Sequence, residues 1–353
     1  MDVKRVAAVV ILIGLVTFAA LARQRAPATA KSTSHVVVAT TAFLNTLDER
    51  QRQKVSLPLN ATTRTVWSNL PTGATMQVGA TERNGLKFGD MTPSQQEAAL
   101  AIVAAALSRT GYQKVLNIVQ GDQRLEESTP TRSTPQIRFG RAEFYIAILG
   151  TPSVRERWML QFGGHHLAIN VTVAGADSVM TPSHTGAQPA TYAMNGETIR
   201  PLGRENDKAF ALMNALDAAQ QKEALLEYQV RDLVLGPGED GKVIQPEGIR
   251  GSALTGTQRA MLVDLIGEWV TILAEPSAAA KMKEVAAKLP DTYFAWSDST
   301  INGKEAYFRI QGPTLLIEYA PQPLSRWAEP SVDHIHTMYR DPTNDYGVRL
   351  ATR

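Results

Sequence analysis

Two helix-opening signals of one kind, set 163 residues apart, constrain this chain more than any other feature. The segment "TPSQQEAALAIVAAAL" opens with Thr92 and closes a Thr-x-x-Gln box at Gln95; "TGTQRAMLVDLIGEWV" does the same with Thr255 and Gln258. In such a box the threonine hydroxyl accepts the third helical N–H while the glutamine side chain returns to the cap N–H, so two orphan donors are satisfied together. At the same offset Leu100, Val103 and Leu107 fall on Val263, Ile266 and Val270, the apolar stripe of each helix. A second helical segment follows each (Gly111 to Leu125; "SAAAKMKEVAAKL"), and then strand-like segments. In the strands the offset is 148: Gly164 meets Gly312, Leu167 meets Leu315, Ile169 meets Ile317 and Asn170 meets Glu318. The difference lies in the longer connection "QRLEESTPTRSTPQ". The expectation is an α+β fold in which helical pairs pack on antiparallel sheet, built as two pseudo-repeated halves, about 36–200 and 201–353, of a single domain over 36–353.

An apolar fraction of 44% with 20% charged residues supplies a core for a chain of 353 residues, and a net charge of +2 without a basic stripe argues against nucleic acid as a partner. The N-terminus places Lys4 and Arg5 before an uncharged apolar run from Val6 to Ala22, which reads as a signal peptide or N-terminal membrane anchor over 1–22, followed by a small, polar linker over 23–35. Export to the periplasm, the extracellular space or a membrane-anchored position is therefore expected, with membrane contact only through that segment. The absence of cysteine removes thiolate ligands, so a metal here must use imidazole, carboxylate or amide groups. "GPGEDGKVIQPEG" reads as a turn, and no Gly-x-Ser-x-Gly elbow, His-Glu-x-x-His helix or Walker loop is present. Ser183 and His184 are neighbours in sequence, which is not how a nucleophile and its base are arranged.

Several motifs resemble a known family. They are "LGTPS", "W-x-L-Q-F-G-G-H-H-L", "TPSHTGAQP", "NGETIRPLGRE", "LDAAQQKEA" and "HIHTMYRDPTNDYG", spread across nearly the whole chain after the leader. Together they are similar to the bacterial and fungal proteins grouped as domain of unknown function 3500. The resemblance implies membership and no activity. Where many of those relatives carry an aromatic residue this chain has His184, so the resemblance does not extend to that side chain.

Five of the six histidines sit in three short motifs, and only His35 lies near the N-terminus. If the strand after Gly163-Gly164 begins at His165, side-chain alternation puts His165, Leu167, Ile169, Val171 and Val173 on the apolar face and His166, Ala168, Asn170 and Thr172 on the other. In "DHIHTMYR" the same alternation aligns His334, His336, Met338 and Arg340. His-x-His on one strand lets two imidazoles reach one cation, and a third histidine with a carboxylate completes a set suited to a divalent transition metal such as Zn, Cu or Fe. The expected ligands are His166, His334, His336 and Glu318, with His165 as a supporting residue behind them. Asn170, Arg340 and His184 are expected to bind a small polar or anionic ligand. The sequence thus points to an exported protein with a His-lined cleft, a metal-dependent enzyme with hydrolase and oxidoreductase chemistry both open. The alternative is a non-catalytic cell-envelope binding module. The residues leave the oligomeric state open.

Overall fold

The computed structural model describes residues 28–73, 83–128, 137–323 and 329–351. The first half runs α1 (Ala28–Asn45), α2 (Glu49–Val55), β1 (Ser56–Leu57), β2 (Leu86–Lys87), α3 (Pro93–Ala106), α4 (Arg109–Ser128), β3 (Tyr145–Leu149), β4 (Trp158–Gly164), β5 (Leu167–Ala174), β6 (Asp177–Val179) and β7 (Ser183–Ala187). A hairpin of β8 (Tyr192–Met194) and β9 (Glu197–Ile199) leads into the second half: α5 (Gly203–Ala215), α6 (Ala218–Ala224), β10 (Ile249–Arg250), α7 (Gly256–Val270), α8 (Ser277–Lys288), β11 (Tyr293–Asp298), β12 (Ala306–Gly312), β13 (Leu315–Pro323) and β14 (Pro330–Arg340). The fold is α+β. The leader expected over 1–22 lies outside the described residues. Of the linker expected over 23–35, residues 28–35 are helical instead, because α1 begins at Ala28 and buries Thr33 and Val36, while residues 23–27 lie outside the described residues. Among the described residues no helix is long and apolar enough to cross a membrane.

One sheet carries the strands in the order β1-β3-β4-β5-β7-β14-β13-β12-β11-β10, with β2 beside β3 and β6 beside β5. It is mixed rather than wholly antiparallel, since β1 pairs parallel to β3. Apart from that the order reads as a palindrome about the β7–β14 junction. The pairing registers repeat as well. Tyr145 faces Gly163 and Gly164 faces Leu167 in the first half; Tyr293 faces Gln311 and Gly312 faces Leu315 in the second, all displaced by 148. Leu86 on Ile146 is matched by Ile249 on Phe294. Equivalent strands β7 and β14 pair antiparallel to each other, with Ser183 opposite Tyr339. This places a pseudo-two-fold axis through the sheet at that pair.

Helix capping is duplicated down to individual hydrogen bonds. Both expected Thr-x-x-Gln boxes form. Asp48 with Gln51 and Asp217 with Gln220 add a second matched pair of boxes at α2 and α6. Gln95 donates to the Thr46 carbonyl at 2.8 Å and Gln51 to the Asp90 carbonyl at 3.1 Å; Gln258 donates to Ala215 at 2.8 Å and Gln220 to Ala253 at 3.1 Å. Each pair of glutamines also bonds to one another. A buried amide in the same role twice is what a shared architecture dictates, because each cap must be satisfied where water is excluded.

Helices cover one face of the sheet. Phe162, Leu167, Ile169 and Val171 from one half and Phe308, Ile310, Leu315 and Ile317 from the other join helix residues such as Val103, Ile118, Leu262 and Ile266 in one core. The opposite face is covered by irregular chain. There Leu57, Leu59, Trp67 and Tyr346 pack on Ala147, Leu149 and Met159, while Leu226, Val230 and Leu233 pack on Tyr307 and Ala320. Gln161, Asn170, Thr172, His184, Arg309, Glu318, His336 and Arg340 share this loop-covered face by pairing register and are all buried. A buried polar face requires specific partners for every group, and it is here that the histidines gather.

Candidate metal centre

Between β4 and β5 the chain turns through only two residues, His165 and His166, and His166 takes the left-handed conformation with φ 63°. The strand therefore starts at Leu167 and not at His165 as expected. From Leu167 onward the alternation is as read: Leu167, Ile169, Val171 and Val173 face the helices. A non-glycine residue in this conformation costs roughly 1–2 kcal/mol, so a bulky imidazole here is held by its surroundings. The His166 N–H donates to the Asn69 carbonyl at 3.0 Å, and its carbonyl accepts from Gly186 at 2.7 Å. Gly164 leaves room for the Phe144 ring, which a Cβ would approach at 2.8 Å. Gly186 leaves room for His166 itself, whose Cδ2 would stand 3.1 Å from an added Cβ.

Five imidazoles converge at this turn. β14 crosses beside β7 and presents His334 and His336 on the loop-covered face; β7 contributes His184. His166 Nε2 lies 2.9 Å from His334 Nε2, which lies 3.2 Å from His336 Nε2. The ring centroids of these three stand 4.8–5.1 Å apart, with interplanar angles of 61°, 63° and 88°. His165 stacks on His166 at 3.6 Å and 30°, and its Nδ1 meets Asp122 Oδ1 at 2.5 Å. The other oxygen of Asp122 accepts from the Gly140 N–H at 2.7 Å.

The tautomer of His334 follows from its neighbours. Its Nδ1 faces the Pro323 carbonyl at 3.1 Å, and a carbonyl can only accept, so Nδ1 carries the proton and Nε2 is left with a bare lone pair. That lone pair points at His166 and His336. Burial, reinforced by the neighbouring imidazoles, holds His166 and His336 well below the usual histidine range. Burial lowers His334 to about 4, against the raising effect of the Pro323 bond, and lowers His184 to about 3. At neutral pH these rings are uncharged, which is the form that binds a cation.

Among the described residues two groups place ligand atoms within 4.8 Å of one another: His166, His334 and His336, and Asp122, His165 and His166. Either could hold a metal ion by proximity. Ring orientation separates them, because a metal must lie near the plane of each imidazole along its lone pair. In the first group His166 and His336 each bring Nε2 to Nε2 of His334, whereas His165 turns its Nδ1 to Asp122 and lays its ring face on His166 at 30°. Tetrahedral ligands at about 2.0–2.1 Å from a zinc ion would stand about 3.3–3.4 Å apart, so the two contacts through His334, at 2.9 and 3.2 Å, need to open by only a few tenths of an ångström. Asp122 and His165 instead have the form of a hydrogen-bonded pair that props the face of His166.

Not every residue expected at the site reaches it. Glu318 shares the face of His336 but pairs with Met338, two residues farther along the strand, a displacement of about 7 Å. Its oxygens accept from the Val234 and Leu235 N–H groups, each at 2.8 Å, and from Tyr307 at 2.7 Å, anchoring the covering loop. Arg340 is likewise structural: it donates to the carbonyls of Leu235 and Gly236 and to Asp240 and Asp345, and so ties the Gly/Pro-rich loop and the C-terminal turn to β14. Four of its five N–H donors are thereby taken by the protein's own carbonyls and carboxylates. Asn170 is buried, with its amide donating to the Pro182 carbonyl at 2.9 Å and its Oδ1 without a partner among the described residues. His184 joins the cluster edge-on to His336, 5.0 Å away, with both ring nitrogens buried and without a hydrogen-bond partner among the described residues.

Sequence reading missed Asp122. It lies on the stripe of Val115, Ile118 and Val119 along α4, and a carboxylate on an apolar stripe signals a buried partner. It also missed the matched Asp-x-x-Gln boxes, visible as "LDERQ" and "LDAAQ".

Comparison with known proteins agrees with the motifs. The family described as "Protein of unknown function (DUF3500)" matches residues 29–348, nearly the whole chain. No curated protein and no solved structure matches it.

Proposed function

We propose that this chain, which belongs to the DUF3500 family of proteins of unknown function, is a metal-dependent enzyme whose cation is held by His166, His334 and His336. The observation that carries the reading is the convergence of three neutral imidazoles, with Nε2 contacts of 2.9 and 3.2 Å, around a nitrogen whose partner ring proton is fixed on the Pro323 carbonyl. A ligand histidine that donates its other N–H to a carbonyl is oriented and made more basic by it. Three histidines, with no fourth protein ligand grouped with them among the described residues, leave a coordination position for water or substrate, where a divalent transition metal acts as Lewis acid or generates hydroxide. His334 is the least buried of the three and marks the side from which that position is reached. Hydrolytic and redox chemistry are both compatible with an all-imidazole set. The binding-module reading is the less supported of the two, since Arg340, its expected anion contact, bonds to the protein's own carbonyls and carboxylates. Export, carried by the apolar run Val6–Ala22, belongs to the same proposal; a processed or membrane-associated protein on cell fractionation is its expected outcome.

The test is metal analysis of the protein purified without a histidine tag or chelator. About one equivalent of Zn, Cu or Fe, lost in His166→Ala and His334→Ala, is expected. A metal-free protein that also fails to take up Zn(II) on dialysis contradicts the proposal.

A further inference from the structure

His184 poses a problem that the outer triad does not solve. It is fully buried, both ring nitrogens lack a hydrogen-bond partner among the described residues, and its ring lies 5.0 Å from His336 at 75°. A buried polar group without a hydrogen bond costs about 1–3 kcal/mol, and each such case in a native protein calls for an explanation. Directly opposite His184 on β14 stands Met338, also fully buried. Met338 belongs to none of the apolar clusters of the described residues. It lies instead on the polar face, flanked across the strands by His184 and Glu318 and two residues from His336. Leu235 and Leu316 are also buried outside those clusters, but Met338 differs from them in carrying a soft donor atom, its thioether sulfur, on the strand position opposite that imidazole.

We infer that His184, His336 and Met338 form a second, inner site for a soft monovalent cation, Cu(I). Directly paired strand residues hold their Cβ atoms about 4.5–5.5 Å apart, close enough for one cation to meet both side chains, and the diagonal neighbour His336 already touches His184. Two neutral imidazoles and a thioether are a soft donor set that favours Cu(I) over Zn(II). A cation there would give His184 the partner it lacks. The inference does not depend on the outer triad, although the two sites share His336.

The experiment titrates the metal-free full-length protein anaerobically with Cu(I) against a chromophoric Cu(I) chelator, and records X-ray absorption of the copper-loaded protein. Wild type should bind Cu(I) with a sulfur neighbour. Met338→Leu, close in volume and expected to fold normally, should lose the sulfur signal and weaken Cu(I) binding beyond the roughly 10- to 100-fold typical of losing a supporting residue. His184→Phe should do the same with the ring volume retained. Cu(I) bound only by nitrogen or oxygen, or equally tightly by Met338→Leu, overturns the inference, as does failure of wild type to bind Cu(I). His334→Ala separates this site from the proposed enzyme centre: loss of Zn(II) uptake with the copper–sulfur signal retained supports both, whereas retained Zn(II) uptake contradicts the outer centre alone.

Discussion

His184 and Arg340 hold equivalent places in the two halves. His184 is paired with Ala168 on β5 and Arg340 with Leu316 on β13, and Ala168 and Leu316 correspond under the offset of 148 that relates β3–β5 to β11–β13. Among the described residues one position carries an imidazole with no hydrogen-bond partner, the other a guanidinium with four. The halves have the same frame and different interiors. Only the first half points a pair of histidines out of its β4–β5 turn; the matching turn of the second is Pro313-Thr314.

Arg340→Ala should therefore be a stability variant. It leaves Asp345, a mostly buried carboxylate, without its cation, and breaking such a buried pair costs about 3–5 kcal/mol. Denaturant unfolding should show that loss while metal content per folded protein stays at the wild-type value. A variant of normal stability that had lost its metal would put Arg340 back in the site.

Asp122→Asn probes the prop behind the triad. The change keeps an oxygen for the Gly140 N–H and weakens the hold on His165, so metal affinity should fall about 10- to 100-fold with stoichiometry unchanged. His165→Ala should lose stability as well, because it orphans the buried Asp122 carboxylate. Equilibrium competition with a metal indicator measures the first and thermal melting the second; unaltered affinity in both variants would contradict the supporting role.

What was legible in the sequence was what neighbouring residues encode. Thr92 with Gln95 and Thr255 with Gln258 announce their helices through local capping chemistry, and alternation from Leu167 correctly divided β5 between its faces. The convergence of His166 with His334 was not legible, because it depends on β14 lying beside β7 across 168 residues of chain. The turn at His165-His166 was misread because imidazoles are unusual in a left-handed turn position, where glycine or asparagine is the ordinary signal. Glu318 was placed on the correct face and the wrong level. Alternation fixes the side of a strand and says nothing of how far along it a neighbour stands.

The duplicated capping networks predict matched energetics. Gln95→Ala and Gln258→Ala each remove a return bond to the threonine cap, a bond to a helix-end carbonyl and a bond to the partner glutamine. Each should cost about 1–3 kcal/mol, and the two losses should agree within the scatter of paired unfolding curves. A neutral effect at one site with a large effect at the other would show that the symmetry is geometric only.

Acid should destabilise the metal-free protein early. His166, His184, His334 and His336 have folded-state values below the unfolded histidine value, so the unfolded chain binds more protons and stability falls as pH drops below about 6.5. Each imidazole contributes about 1 kcal/mol of loss between pH 7 and 5.5. Asp345, pushed up to about 6 by burial, works in the opposite direction with a single proton. Melting temperature recorded across this range should decline, and less steeply in His184→Phe. A flat profile down to pH 5 would contradict neutral burial of the cluster.

The most direct measurement is anomalous scattering from crystals of the full-length protein loaded with Zn(II). The account predicts a peak at about 2.0–2.1 Å from the Nε2 atoms of His166, His334 and His336. A peak between Asp122 and His165 instead, or no peak within reach of any imidazole, contradicts it.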